Sequence, residues 1–246
     1  MYGLNMCSPT VADDMALVSF SKSGLDQMLG ICHSYEMKWR FEYNINKCAV
    51  VIAHGNNSVG ERLFSMGRQQ IKQVDKYIHL GITCDQYLST GLLVQEACRK
   101  LRGSLLAICN SGVHPRKVNP LTSKTIYKSV VITKALYQCE SWSNLTVKDI
   151  EKLERSHTFC LKYMQQLSQH TNNRYTLSVI NMDSLETYID YRKIQFLGQL
   201  CRLSPQYQAK SVFHHRLLRY INKDRQCLGF VPDIFRIVRK YNLQYV

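Results

Sequence analysis

Two adjacent carboxylates are the residues of this chain best suited to chemistry. Asp13 and Asp14 lie within Pro9–Leu17, and apolar, β-prone residues flank them on both sides. This pattern predicts two short strands that meet at a bend, with the acids at the tip of a hairpin. Neighbouring carboxylates repel each other, and oxygen ligands at this density suit Mg²⁺ or Mn²⁺. A solvated β-turn without a metal is the alternative interpretation.

The positive charge of the chain is confined to its later part. The net charge is +14 over 246 residues. Residues 1–90 contain eight Lys or Arg and eight Asp or Glu, so the 24 basic and 10 acidic residues of 91–246 carry the whole excess. A neutral segment with clustered acids beside a basic segment is typical of proteins that bind a polyanion. The alternatives are a basic surface that only favours solubility, or one attracted to a membrane surface.

The cysteines and the hydropathy pattern limit the classes of protein to which this chain could belong. Ten cysteines are dispersed along the chain, without a Cys-x-x-Cys pair or zinc-ligand spacing. Cys98, Cys160 and Cys201 fall within apolar helical patterns and are predicted to be buried free thiols, which favours a reducing compartment. We find no signal peptide and no apolar run of membrane-spanning length, so no membrane partner is expected.

Residues 1–88 show short apolar runs separated by turns and one helical pattern. Ser23 is predicted to cap the helix, with its apolar face running from Leu25 to Trp39. The predicted strands lie up to Val11 and at 15–19, 41–43, 48–53 and within 73–83, with a turn-rich loop at 54–58.

From about residue 89 the pattern becomes helical. Apolar stripes predict helices over 93–108, 123–137, 146–167, 185–203 and 209–221, and a polar loop over 168–182. Thr146 is the predicted cap of the third helix, and His157 on its apolar face is predicted to be a core residue and not a ligand. Tyr137 and Trp142 are likewise predicted to be core residues.

These elements predict an α+β fold. A small antiparallel palm-type sheet with a packed helix would occupy residues 1–88. A mainly α-helical, thumb-like bundle would follow over 89–170, and a basic helical C-terminal extension over 171–246.

Four segments in this order resemble the reverse transcriptases of LINE-type (non-LTR) retrotransposons. The acidic segment Ser8–Ser19 resembles the catalytic hairpin of that family, with Val11 where the family usually has an aromatic residue. Phe41–Cys48 resembles its Asn-x-x-Lys segment, and Tyr77–Ile82 resembles its Leu-Gly primer grip. Leu136–Trp142 resembles the Leu-Tyr-Gly-x-Glu-x-Trp run of the thumb, with Gln138 in place of the glycine.

The resemblance implies an RNA-directed DNA polymerase site that uses two-metal nucleotidyl transfer on an RNA template and a DNA primer. It implies Asp13 and Asp14 as ligands of Mg²⁺ or Mn²⁺, Lys47 as a group that neutralises or protonates the leaving group, and Leu80 with Gly81 as primer-positioning residues. Basic thumb residues would contact phosphates without reading bases: Arg99, Lys100, Arg102, Arg116, Lys117, Lys124, Lys128 and Lys134. Each of these could equally lie on a solvated helix face.

The family also has fingers and a metal-binding Asp on an earlier palm strand. Only 12 residues precede Asp13, so we expect both to be missing and expect a truncated or remnant enzyme that does not polymerise alone. The rival expectations are a nonenzymatic nucleic-acid-binding module and a protein-interaction remnant. The resemblance also implies an intracellular location, in the nucleus or in a cytoplasmic ribonucleoprotein.

Overall fold

The protein is described here by a computed structural model that covers residues 8–53, 62–87, 89–222 and 228–243. The chain divides into two compact units, residues 1–89 and 90–246. The first is a small α/β unit and the second is helical, which confirms the predicted α+β class. The loop predicted at 54–58 lies outside the described residues.

The first unit begins with a minimal hairpin and a long helix. Strands β1 (Thr10–Val11) and β2 (Asp14–Met15) pair antiparallel, so the predicted strand at 15–19 is much shorter than expected. Helix α1 spans Lys22–Trp39. Its cap is Ser21 and not Ser23, because the Ser21 hydroxyl accepts from the Gly24 amide at 3.1 Å.

A three-stranded sheet packs against α1. Strand β5 (Gln69–Gln73) lies between β3 (Ala49–Val50), to which it is parallel, and β4 (Phe64–Met66), to which it is antiparallel. Buried side chains from both layers form the core of the unit: Leu29, Cys32, Phe64, Met66 and Ile71. The predicted strand at 41–43 is irregular chain that leads into a 3₁₀ turn at Ile45–Lys47.

The segment predicted as one strand within 73–83 is a hairpin. Strands β6 (Lys76–His79) and β7 (Ile82–Asp85) pair antiparallel across a two-residue turn at Leu80 and Gly81. Both turn residues have positive φ, 50° and 79°. Positive φ at both central positions is the type I′ geometry, whose twist matches that of the flanking strands.

The second unit consists of helices. They are α2 (Thr90–Asn110), α3 (Pro120–Ile126), α4 (Thr133–Ala135), α5 (Val147–Met164), α6 (Asn173–Val179), α7 (Leu185–Arg202), α8 (Gln208–Ile221) and α9 (Phe230–Lys240). A π-helical turn at Tyr127–Ile132 joins α3 to α4, so the predicted helix over 123–137 is a continuous run with one wide turn. No helix in the described residues is both long and apolar enough to span a bilayer.

The helical core is built around α2 and α5. Apolar side chains at helical spacing, among them Val94, Leu101, Leu153 and Leu161, are fully buried between these helices. Ile180, just after α6, and Leu185 and Ile189 of α7 join the same cluster. The regions predicted as separate domains, 89–170 and 171–246, therefore belong to one unit.

Several local predictions were wrong. The segment 168–182 is not a loop, because α6 lies within it and buries Thr176. Helix α9 was not predicted. Tyr137 was expected in the core but is 49% exposed. Of the thiols predicted to be buried, Cys201 is exposed and Cys98 is only partly buried. Trp142, Cys160 and His157 are buried as predicted.

Buried charges fasten α9 to α7. The Lys193 ammonium is fully buried and donates to the Asp233 carboxylate and to the carbonyl of Trp142. Nearby, Lys240 donates to Glu186 at 2.6 Å and to Asp190 at 2.8 Å. Both Lys193 and Asp233 are buried, so removing either one would leave the other as an unpaired buried group.

Candidate functional site

The acidic pair lies at the tip of the β1–β2 hairpin. Val11 pairs with Asp14 across the strands, which leaves Ala12 and Asp13 as the two turn residues. Ala12 has a φ of 54°, the left-handed conformation that a tight hairpin turn requires. The Ala16 amide closes the hairpin base on the Pro9 carbonyl at 3.0 Å. Both carboxylates are exposed.

Asp13 and Asp14 are two exposed carboxylates at one hairpin tip. Mg²⁺ is commonly bound through one or two carboxylates while it keeps several waters. Within the described ranges, no group of three or more His, Cys, Asp or Glu side chains comes together to hold a metal. Asp26, on α1, pairs instead with Lys22 at 2.7 Å. The described hairpin therefore brings together two carboxylates, fewer than a two-metal site uses.

Lys47 is held by the turn that precedes β3. Its backbone amide donates to the Asn44 carbonyl at 2.9 Å, and its own carbonyl accepts from the Tyr77 hydroxyl at 2.8 Å. The Asn-x-x-Lys segment is thus tied to strand β6, whereas the Lys47 side chain is exposed. The sequence placed Lys47 between the predicted strands at 41–43 and 48–53, and it lies there in a 3₁₀ turn.

Leu80 and Gly81 form an exposed turn between β6 and β7. Tyr77, Ile78 and Leu80 are large apolar or aromatic side chains that this hairpin leaves in contact with solvent. Gly81 meets the demand for positive φ without strain, whereas Leu80 meets it at a cost.

The thumb-like run keeps a glycine-type backbone at Gln138. Its φ is 56°, in the left-handed region, so the chain adopts there the conformation that the glycine of the resembled family adopts most easily. The Gln138 carbonyl accepts from the Ser141 amide at 3.0 Å, which begins the turn before Trp142. The Gln138 amide oxygen is buried without a hydrogen-bond partner. A non-glycine residue therefore occupies a left-handed position in this run.

The predicted basic residues divide into two groups. Arg99 and Arg102 line a groove of about 460 Å³ between α2 and α5, which we call the α2–α5 groove. Its remaining lining residues are Gly91, Gln95, Cys98, Lys152, Arg155 and Ser156. The other predicted basic residues lie outside this lining: Lys100, Arg116, Lys117, Lys124, Lys128 and Lys134.

Two groove cations, Lys152 and Arg155, were missed by sequence reasoning. They lie on α5 three residues apart, as Arg99 and Arg102 do on α2. Residues three or four apart share a helix face, so this repeated basic spacing was a usable signal. The two faces meet because α2 packs on α5. These helices are about 50 residues apart in sequence, so the sequence alone does not show the contact.

A buried polar chain crosses the core of the helical unit. The Tyr127 hydroxyl bonds His157 Nδ1 at 3.0 Å, and His157 Nε2 lies 3.1 Å from the Asp183 carbonyl. Because a carbonyl only accepts, Nε2 carries the proton and Nδ1 accepts from Tyr127. Burial lowers the pKa of His157 to about 4, partly opposed by the Asp183 carbonyl. His157 is thus a neutral structural residue.

No protein-family model, no curated protein and no solved structure matches this chain.

Proposed function

We propose that this chain is a reverse-transcriptase-type protein, related to those of non-LTR retrotransposons, that binds nucleic acid and does not extend a primer by itself. The observation that carries the proposal is the acidic hairpin, with Asp13 in its turn and Asp14 beside it. The type I′ turn at Leu80 and Gly81 and the basic helical unit support it, because both follow in the order that the resemblance predicts.

Within this proposal Asp13 and Asp14 would hold Mg²⁺ or Mn²⁺, which in such enzymes activates the primer hydroxyl and steadies the triphosphate. Lys47 would supply the positive charge that neutralises the leaving group. The described hairpin has only two carboxylates, Asp13 and Asp14. We therefore expect this chain to bind a cation and not to polymerise.

A primer-extension assay on the full chain tests the enzymatic half. An RNA template annealed to a DNA primer is incubated with deoxynucleotides and either Mg²⁺ or Mn²⁺. We expect no more extension from the wild type than from Asp13→Asn. Robust extension that disappears in Asp13→Asn would show that the chain polymerises.

Cation binding is measured separately, by the electron paramagnetic resonance signal of free Mn²⁺. We expect the wild type to bind one Mn²⁺ weakly and Asp13→Asn/Asp14→Asn to lose it. The matched control is Asp75→Asn/Glu42→Gln, which removes two negative charges from the same unit away from the hairpin. Equal Mn²⁺ binding by all three proteins would contradict a role for the hairpin.

A nonenzymatic nucleic-acid-binding module, with no polymerase relationship, is the second candidate. The cationic α2–α5 groove favours it, because this feature needs no carboxylate to act. It predicts that the affinity for nucleic acid depends on salt but does not change with added divalent cations or with substitution of Asp13. A protein-interaction remnant instead predicts no affinity for nucleic acid at physiological salt.

A further inference from the structure

We propose that the α2–α5 groove is a phosphate-binding site that holds the sugar-phosphate backbone of a nucleic acid without reading its bases. The inference rests on the proposed function, since it names the surface through which the helical unit would hold nucleic acid. It assigns a binding role to Lys152 and Arg155 alongside Arg99 and Arg102.

The first argument is uncompensated charge. In the part of the chain that the structure describes, the side chains of Arg99, Arg102 and Lys152 form no ion pair with a carboxylate. Arg155 pairs only with Glu151, at 3.4 Å, and both side chains are largely exposed, so this pair is weak. Four cations lining one concavity concentrate a positive potential that an anion relieves.

The second argument is rigidity. The Arg102 guanidinium lies over the Phe159 ring, 4.9 Å from its centroid, which fixes its position and leaves its in-plane N–H groups available. The Cys98 thiol donates to the Lys152 carbonyl at 3.5 Å and links the two walls. Beneath them, Val94 and Leu153 are fully buried. A site whose walls and one of whose cations, Arg102, are already held in place loses less entropy when a ligand binds.

The third argument is the chemistry of the lining. No aromatic side chain is among its residues, so the groove lacks the stacking platforms on which proteins hold unpaired bases. Arg and Lys with one serine and one glutamine are instead the side chains that contact phosphate and sugar. The volume of about 460 Å³ lies within the range of ligand sites. The groove thus suits a stretch of backbone.

The test compares two double variants of the full chain that lose the same charge. Arg99→Gln/Lys152→Gln empties the groove of two unpaired cations. Arg174→Gln/Arg239→Gln removes two exposed arginines elsewhere on the helical unit and serves as the control. Binding to a labelled RNA–DNA duplex and to a labelled single-stranded RNA is followed by fluorescence anisotropy between 50 and 200 mM salt.

We expect the groove variant to bind the duplex about 60-fold more weakly near 0.1 M salt, because each lost phosphate contact removes about 0.9 from the slope of log K against log salt. The slope itself should fall by about 1.8, and by about 1.4 on single-stranded RNA. The control should stay within about twofold of the wild type, and duplexes of scrambled sequence should bind equally.

A local readout comes from Cys98, which lies in the groove wall. Saturating duplex should slow its alkylation by iodoacetamide, measured by peptide mass spectrometry, whereas inorganic phosphate at the same phosphate concentration should not. Three results would overturn the inference: equal losses in both variants, unprotected Cys98 at saturation, or a tenfold sequence preference. In those three cases the wild type still binds nucleic acid, so the proposed function stands. If the wild type has no affinity for nucleic acid even at low salt, both the groove and the proposed function are wrong.

Discussion

The buried pair of Lys193 and Asp233 yields the sharpest prediction about stability. Lys193 is fully buried and its ammonium bonds both the Asp233 carboxylate and the Trp142 carbonyl. The change Lys193→Met keeps a straight apolar chain of similar length and removes only the charge. It leaves the Asp233 carboxylate and the Trp142 carbonyl buried without the hydrogen bonds that Lys193 donates.

The size of the effect follows from what is left behind. Removing one partner of a buried ion pair costs about 3–5 kcal/mol. Arg236 Nη2 lies 3.7 Å from the other Asp233 oxygen and is half exposed, so it offsets part of this loss. We therefore expect Lys193→Met to lower the free energy of unfolding by about 3 kcal/mol. Adding Asp233→Leu should restore all but about 1 kcal/mol, which is the cost of the unpaired Trp142 carbonyl.

The measurement is urea unfolding followed by tryptophan fluorescence. The chain has two tryptophans, and Trp39→Phe leaves Trp142, beside the pair, as the sole reporter of the helical unit. Lys134→Met is the control, because Lys134 is exposed and should change stability by less than about 0.5 kcal/mol. The described pairing is wrong if Lys193→Met lowers the free energy of unfolding by less than about 1 kcal/mol, and if the effects of Lys193→Met and Asp233→Leu are additive in the double variant.

Three further predictions concern the helical unit. The pKa of His157 is lowered to about 4, so the contribution of neutral His157 to the free energy of unfolding should be complete above pH 6.5. It should fall by about 3 kcal/mol as the pH drops to 4. Thermal melts of His157→Gln should lack this pH dependence, and an equal pH dependence would refute the prediction. Gln138→Gly should raise stability by about 1 kcal/mol by relieving the left-handed backbone, whereas a loss in urea unfolding would contradict that. Thr146→Ala should cost about 1 kcal/mol, because Thr146 and Asp149 form a capping box; an unchanged urea midpoint would show that the cap contributes nothing.

The long helices were predictable because their sequences carry both a stripe and a cap. Helix α5 has apolar residues at helical spacing after Thr146, and those residues are buried. Helix α6 has seven residues and buries only Thr176, so its sequence offers no stripe to read. Helix α9 does carry one, in Val231, Ile234 and Ile237, and was overlooked.

The candidate sites show the same division between local and long-range information. The acidic hairpin was visible because Asp13 and Asp14 and their flanks are contiguous. The turn between β6 and β7 was hidden because Leu80, and not Asn or Asp, occupies its first position with positive φ. The α2–α5 groove was only half visible, because two of its cations come from a helix whose packing partner the sequence does not name.

The wide turn at Tyr127–Ile132 has a consequence for how this sequence tolerates length changes. A π-helical turn accommodates one more residue than an α-helical turn would, and here it brings the consecutive residues Val131 and Ile132 into the core together. Deleting one residue inside the turn would let the backbone relax to ordinary α-helix, a repair unavailable to α2 or α5. Homologues that differ by a single residue in length at this point are therefore to be expected, with the core contacts redistributed and not lost.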